Sequence, residues 1–321
     1  MARIRGVLAT VLGVAAMATS ALAQNYPHKP IRIIALSTPA SGPDIVGRLI
    51  GQKLTEAWGQ QVVIDTRPGA SGIIGAEIGS KSAPDGYTLV IVTSQAAIVS
   101  GMYPKLPYHL ARDFAPVTLM ASTPFILAVN PSVAATSVQE LIALAKSHPG
   151  QLRYGSGGSG SPPHLSAEMF RSMTGIELMH VPYKGVTPAM LDTVAGQVQM
   201  VFSVIPAVLT TIKAGKLRAL GVTSAKRSAL VPDIPTIAET VPGYEFIGWY
   251  ALVAPAKTPD AILNRLNAQV VQALRTPEFQ ERFASLGAEP IGTTRAEAGQ
   301  FIREQMEKMR RAVQTSGAKV E

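Results

Sequence analysis

The 321 residues carry a formal net charge of +8, and 47% of them are hydrophobic while only 16% are charged. This composition excludes a largely disordered chain, and the absence of cysteine excludes disulfides, thiolate metal sites and a lipidated N-terminus. Because no run of Lys and Arg exceeds two residues, we expect no nucleic acid partner.

The first 23 residues have the pattern of a cleaved secretory signal peptide. Arg3 and Arg5 precede an apolar segment, and Ala21 and Ala23 fit the small-x-small cleavage site. The apolar run of about 15 residues is shorter than the roughly 20 that span a bilayer, so a membrane anchor is the weaker alternative. Removal of the two arginines leaves a charge of 8 − 2 = +6. The pattern predicts a free, non-lipidated protein of the periplasm.

Strands and helices alternate in the first third of the chain. The predicted elements are strand 31–34, helix 44–58, strand 62–64, helix 72–80 and strand 87–93. This βαβαβ order predicts a parallel sheet with helices on both faces. Residues 94–115 are interpreted as a loop-rich segment, and two separate short strands are predicted at 117–120 and 125–129.

A second alternating unit follows, and a strand then returns towards the first. The predicted elements are helix 137–147, strand 152–155, helix 163–173, strand 178–182, helix 188–194, strand 198–202, helix 207–214, strand 219–223, strand 246–253 and helices 259–275, 277–286 and 295–316. We expect the three C-terminal helices on the first unit. The pattern predicts an α/β fold of two open sheets with flanking helices, joined by two crossovers around a cleft. The predicted domains are signal peptide 1–23, lobe 1 (24–123 plus 250–321) and lobe 2 (124–249).

The loop Gly155–Gly160 has the sequence GSGGSG, which satisfies the G-x-G-x-x-G pattern. No carboxylate ends the next strand and Pro162-Pro163 occupies the helix start, so a dinucleotide site is not predicted, and the lysine of a P-loop is missing. Ser161 can cap the following helix, whose positive end would face the cleft with free N–H groups. The loop therefore favours an anion such as a carboxylate, and an ordinary strand–helix turn is the alternative.

A similar loop, residues 37–44, lies between the first strand and first helix, and Thr93-Ser94 ends another strand at the same sheet edge. The five histidines show no metal-binding spacing and no G-x-S-x-G motif occurs. We therefore expect no metal, no cofactor and no enzymatic activity. A weaker alternative is an exported hydrolase in which His164 activates Ser159 or Ser161.

Several short motifs together resemble one family. They include YPHKPIR from Tyr26, APDGYTL from Ala83, HVPYKG from His180 and PDIPT from Pro232. The chain resembles, from Tyr26 to its C-terminus, the Bug family of periplasmic receptors of tripartite tricarboxylate transporters. The resemblance implies a two-lobed Venus flytrap fold, a small carboxylate ligand and a membrane permease as partner. We expect a monomer, and a sensory binding module is an alternative that the same cleft would serve.

The resemblance and the strand-end argument together give a set of expected ligand-binding residues. These are Ser37, Thr38, Pro39, Ala40, Ser41, Asp44, Ser94, Ser156, Ser159, Gly160, Ser161, His164, Tyr183, Gly185 and Ser203. The first loop departs from the family, which usually has a Gly-Gly pair where Ala40 and Ser41 stand. The family also often has Asp-Asn where Ser203 and Val204 stand.

An aspartate at position 203 would suit the ammonium group of an amino acid, and this chain lacks it. We therefore expect an organic acid without an amino group, with an apolar or aromatic body. Trp249 and Tyr250 on the returning strand could line the cleft or fill the core.

Overall fold

The computed structural model describes residues 26–316, so the predicted signal peptide lies outside the described residues. The strands are β1 (Ile31–Ala35), β2 (Val62–Thr66), β3 (Thr88–Thr93), β4 (Phe114–Val129), β5 (Arg153–Ser156), β6 (Met179–Pro182), β7 (Met200–Val204), β8 (Arg218–Val222), β9 (Ile247–Pro255) and β10 (Glu289–Pro290). The helices are α1 (Gly42–Trp58), α2 (Ile73–Ser80), α3 (Ser94–Met102), α4 (Val138–Ser147), α5 (Pro162–Thr174), α6 (Val186–Val194), α7 (Ile205–Lys213), α8 (Asp260–Leu274), α9 (Pro277–Ser285) and α10 (Arg295–Ser316). The predicted α/β class is confirmed.

Local sequence signals explain the bounds of the helices that flank the site. In α1, Pro43 occupies the first turn, and Gly59 ends the helix in the left-handed region. Val46, Ile50 and Leu54 recur every four residues and are buried, so one face of α1 packs against the sheet. Helix α4 begins after a capping residue, Ser137, whose hydroxyl accepts a hydrogen bond from the Glu140 amide at 3.1 Å.

Two sets of strands are joined through β4. The strand order is β2-β1-β3-β9-β4-β7-β5-β6, and β8 and β10 also pair with β4. Residues 114–124 of β4 pair antiparallel with β9, whereas residues 125–129 pair with β7 and β8. The strands β2, β1 and β3 are parallel to one another, as are β7, β5 and β6. The fold is thus two-lobed, and β4 and β9 run between the lobes. The exact lobe limits stay a prediction.

The crossover region differs from the predicted one in two ways. Residues 94–102 form helix α3 rather than a loop, because the Thr93 hydroxyl caps the Gln95 amide at 3.2 Å and residues 96–99 are buried. The two short strands predicted at 117–120 and 125–129 are one strand of 16 residues. Its register shifts twice along β9, and such bulges accommodate a proline and polar residues that interrupt the apolar pattern.

The C-terminal helices α8 and α10 pack against the crossover strand β4. In α8, Leu263, Leu266, Val270 and Leu274 recur at helical spacing and are buried in the core. Helix α10 packs on α3 of the first lobe and also on α5 of the second, a contact that the sequence did not predict. None of the helices in the described part of the chain is long and apolar enough to cross a membrane.

Candidate functional site

A cavity of about 380 Å³ lies where β4 and β9 cross between the two lobes. Its walls come from both lobes and from the crossover strands, and they consist of Pro43, Thr93, Ser94, Gln95, Thr123, Phe125, Pro162, Pro163, Val186, Thr187, Met190, Ser203, Val204, Ala207, Gly248, Trp249 and Tyr250. Within residues 26–316, no charged side chain lines this cavity. The volume lies within the range that small-molecule sites occupy.

Five helices begin at the cavity wall. They contribute residues of their first turns: Pro43 in α1, Ser94 in α3, Pro162 in α5, Val186 in α6 and Ala207 in α7. The four N-terminal amides of a helix have no partner within the helix, and the helix dipole places partial positive charge there. The dipoles of these helices therefore contribute positive potential to the cavity, although no cationic side chain of the described residues lines it.

Several of these first-turn amides take part in no cap or loop hydrogen bond. Among the described residues, the N–H groups of Ser94, Val186, Thr187 and Ala207 donate to no side chain and to no loop carbonyl. In α6 and α7, no side chain caps the start of the helix. Since unpaired amides at a helix start are a ready anion site, these groups are the strongest candidates for ligand contacts.

Helix α5 does not contribute free amides, which corrects the expectation from the sequence. Pro162 and Pro163 have no N–H, and the amide of His164 donates to the Ser161 hydroxyl at 3.4 Å. What α5 offers the cavity is its dipole and its two proline rings, and the Ser161 hydroxyl lies next to the wall residue Pro162. That hydroxyl accepts the His164 bond and keeps its own proton for a ligand.

The glycine-rich loop before α5 turns two of its amides inward. Gly158 donates to the Ser156 hydroxyl at 3.1 Å, and Gly160 donates to Nδ1 of His164 at 3.0 Å. The amide of Ser159, an exposed residue, has no acceptor among the residues that the structure describes. The loop is thus held largely by its own hydrogen bonds. Most of its amides are therefore not free to donate to an anion.

A stack of aromatic rings supports this loop from below. The rings of His164 and His180 lie 4.1 Å apart and nearly parallel, and Tyr154 stacks on His180 at 4.9 Å. Burial lowers the pKa of His164, and burial together with the neighbouring His164 imidazole lowers the pKa of His180 to about 4. Both rings are therefore neutral at neutral pH. His164 carries its proton on Nε2, because Nδ1 accepts from Gly160.

Ser156 and His180 have the spacing of a nucleophile and its base, with Oγ and Nε2 2.6 Å apart. However, Ser156 is fully buried, its oxygen already accepts from Gly158, and neither residue lines the cavity. The predicted alternative pair is not formed either, since Nδ1 of His164 is occupied by the Gly160 amide. This arrangement supports the loop and does not present a nucleophile to the cavity.

The loop of residues 37–44, between β1 and α1, lies beside the cavity and is held by hydrogen bonds among its own residues. Ala40 has a left-handed φ of 62° at one of the positions where the resembled family has glycine, and its amide donates to Asp44 at 2.8 Å. Asp44 also pairs with Arg48, four residues along α1, at 3.0 Å. Ser41 donates to the Thr38 carbonyl at 2.6 Å and contacts the Ser37 hydroxyl.

The structure therefore separates the expected site residues into two groups. Ser94 and Ser203 line the cavity, whereas the other expected residues do not: Ser37, Thr38, Pro39, Ala40, Ser41, Asp44, Ser156, Ser159, Gly160, Ser161, His164, Tyr183 and Gly185. Some of these border it, because Pro43 and Pro162 continue their loops into the wall. Tyr183 instead directs its hydroxyl to Asp192 at 2.7 Å. Trp249 and Tyr250 both line the cavity.

Sequence reasoning missed several residues of the cavity wall. Phe125 and Gly248 come from the crossover strands, and Val186, Thr187 and Met190 come from α6. The start of α6 could have been recognised in the sequence as a possible ligand contact, since Gly185 precedes this helix and provides no capping side chain. The crossover residues carried none, because their apolar pattern is that of ordinary core strands.

Comparison with known proteins agrees with this geometry. Residues 46–318 match the tripartite tricarboxylate transporter family receptor. Protein BugT of Bordetella pertussis is 35% identical over 325 residues, which cover 100% of this chain and 99% of BugT. The chain belongs to the tripartite tricarboxylate transporter receptor family. It is accordingly a solute-binding receptor, as the resemblance implied.

Solved structures support the two-lobed fold of this receptor. An R. palustris protein solved with adipate is 36% identical, with a TM-score of 0.78 over 92% of this chain and 100% of that chain. MatC from Rhodopseudomonas palustris with bound malate is 27% identical, with a TM-score of 0.74 over 90% of this chain and 100% of that chain. A family of solute receptors is consistent with a protein that is not an enzyme.

Proposed function

We propose that this receptor acts in the periplasm, captures a small organic carboxylate in the cavity between its lobes, and delivers it to a membrane permease of the tripartite tricarboxylate type. The observation that carries the proposal is the group of first-turn amides without a cap or loop partner, from Ser94, Val186, Thr187 and Ala207, around a cavity that no charged side chain of residues 26–316 lines. Such amides bind an anion through hydrogen bonds and the helix dipoles.

The wall also discriminates between classes of acid. No carboxylate within residues 26–316 faces the cavity, so an ammonium group would be buried there without a counter-ion, at a large cost. Phe125, Met190 and Val204 offer apolar surface to the body of the ligand instead. This favours an acid without an amino group. The relatives solved with adipate and malate support a carboxylate ligand for this chain as well.

The test is a thermal-shift screen of the mature protein, unfolded and refolded to remove any ligand it carries. The panel contains mono- and dicarboxylates of three to eight carbons, aromatic carboxylates, amino acids, and the methyl ester or amide of each acid as the matched control. At a hundredfold excess over Kd, binding stabilises the folded state by about 2.7 kcal/mol, which shifts the melting temperature measurably. We expect shifts with plain acids and none with their esters or amides.

Two outcomes would overturn the proposal. Stabilisation by amino acids alone would mean that an acidic group reaches the ligand, contrary to the neutral cavity wall. Stabilisation by the neutral amides as strongly as by the acids would mean that the helix starts do not bind an anion. Uptake of the identified acid by cells, with and without the gene for the candidate permease, then tests delivery. Loss of a transcriptional response with uptake unchanged would identify a sensory module instead.

A further inference from the structure

The hydroxyl of Tyr250 is a polar group of the cavity wall without a hydrogen-bond partner. Tyr250 lines the cavity and is partly buried, and its oxygen takes part in no hydrogen bond among residues 26–316. The unpaired polar atoms of Ser203 and Trp249 are fully enclosed by protein, whereas the Tyr250 oxygen is not. Burial raises the pKa of this phenol, so it keeps its proton and can donate a hydrogen bond.

The strand that carries Tyr250 places its ring on the side of α1. Side chains alternate along β9, and Trp249 contacts Phe301 of α10 with ring centroids 5.6 Å apart. Tyr250 packs instead on the core cluster that contains Val46 of α1. Its backbone pairs with that of Thr93 in β3. The ring is therefore held by a strand of the sheet rather than by a loop.

The Tyr250 hydroxyl lies at the start of α1, beside Gly42. A β-carbon added to Gly42 would be 2.4 Å from the Tyr250 oxygen and 3.2 Å from its Cζ. Gly42 has no left-handed φ, so its backbone conformation would accept another residue. The tyrosine hydroxyl is thus what excludes a side chain at this position. The next residue, Pro43, belongs to the cavity wall.

The loop of residues 37–44 leaves few donors of its own at this end of the cavity. The amide of Ala40 donates to Asp44 at 2.8 Å, and the amide and the hydroxyl of Ser41 donate to the Thr38 carbonyl at 3.4 and 2.6 Å. The two prolines of the loop have no N–H. A donor for an anion at the start of α1 must therefore come largely from outside the loop, and β9 supplies one.

We propose that Tyr250 is a specificity-determining contact of this receptor: its hydroxyl donates a hydrogen bond to the carboxylate of the bound acid at the start of α1, in the space that Gly42 leaves. The inference rests on the proposed function and deepens it. The neutral phenol adds a directed donor without adding a charge, and a hydrogen bond to a charged acceptor is stronger than one to a neutral acceptor. The dipole of α1 strengthens the same preference for an anion.

Calorimetric titration of the refolded protein tests this contact with adipate, malate and hexanoate, of which the first two are bound by relatives of known structure. Each probe that the natural protein binds should bind Tyr250→Phe about tenfold more weakly, because a hydrogen bond to a charged group is lost. Tyr108→Phe is the matched control. Tyr108 is buried outside the cavity, and its hydroxyl also has no partner among residues 26–316, so its removal should leave every dissociation constant unchanged.

The melting temperature without ligand separates a ligand contact from a packing residue. Tyr250→Phe should melt at the temperature of the natural protein or higher, since no hydrogen bond within the protein is lost. Weaker binding together with a clearly lower melting temperature would overturn the proposal, because the side chain would then act through packing.

Gly42→Ala tests the space that the hydroxyl occupies. The new methyl group displaces the Tyr250 hydroxyl, so this variant should also bind the probes about tenfold more weakly. In the Tyr250→Phe background the same change should cost little further affinity, because residues that act on one contact are not additive. Gly51→Ala, on the same helix but facing Val62 of β2, is the control and should leave affinity unchanged. A full further tenfold loss in the double variant would overturn the pairing of Gly42 with the hydroxyl.

The remaining outcomes separate this inference from the proposed function. If Tyr250→Phe binds the probes as tightly as the natural protein, the inference is overturned and the carboxylate receptor is left intact. If the natural protein binds none of the three probes, nor any other acid in the screen, both are overturned.

Discussion

Gly160 offers a way to test whether the two lobes touch when the ligand is bound. It has a left-handed φ of 73°, and a β-carbon added there would lie 2.5 Å from Sδ and 2.6 Å from Cε of Met102. Gly160 belongs to the loop after β5, whereas Met102 ends α3 of the other lobe. Gly160→Ala therefore introduces backbone strain within one lobe and a steric clash between the two.

The two effects have different magnitudes and different readouts. An L-residue in the left-handed region costs about 1–2 kcal/mol of unfolding free energy, measured by urea denaturation. The clash costs about 1 kcal/mol, the lower end of the range for overpacking, because the end of a methionine side chain can move. On the premise that the ligand-bound protein has the lobe contact described here and the ligand-free protein opens it, the Kd for the best acid of the screen should rise about fivefold in calorimetry.

Two further variants separate these effects. Gly175 has φ 64° at the end of α5 and no atom within 4 Å of an added β-carbon, so Gly175→Ala should lose similar stability with unchanged affinity. Met102→Ala in the Gly160→Ala background should restore the affinity and leave the backbone strain. The reasoning is refuted if Gly160→Ala leaves Kd unchanged, or if Met102→Ala fails to repair a loss of affinity.

Three other predictions concern the residues around the glycine-rich loop. Ser161→Ala and Ser137→Ala each remove a helix cap and should lower the unfolding free energy by about 1 kcal/mol, but only Ser161→Ala should weaken acid binding in calorimetry. Tyr154→Phe removes the hydroxyl that donates to buried Glu168 at 2.6 Å, and a loss of about 2 kcal/mol is expected in urea denaturation; an unchanged midpoint would contradict this. Burial and a neighbouring histidine lower the pKa of His180 from 6.5 to about 4, so on acidification the unfolded chain binds this proton first. The stability that depends on neutral His180 is present above pH 6.5 and is lost as the pH falls towards 4, and His180→Gln should flatten this part of the stability–pH curve.

Much of the fold follows from signals that are local in the sequence. The apolar strand Ile31–Ala35, the four-residue spacing of Val46, Ile50 and Leu54, and the cap at Ser137 each act over a few residues. Where the local pattern was interrupted, prediction failed. Prolines and polar residues within Phe114–Val129 concealed a single strand, which bulges and the pairing with β9 hold together.

The sequence by itself determined the alternating α/β units, the family, and the position of loops at strand ends, because strand and helix patterns and short motifs are properties of neighbouring residues. Only the tertiary structure decided which donors remain free. The amides of Gly158 and Gly160 are satisfied by Ser156 and His164, whereas the hydroxyl of Ser203 finds no partner. Whether a polar group is paired depends on atoms that distant parts of the chain bring within about 3 Å, and no local pattern specifies that distance.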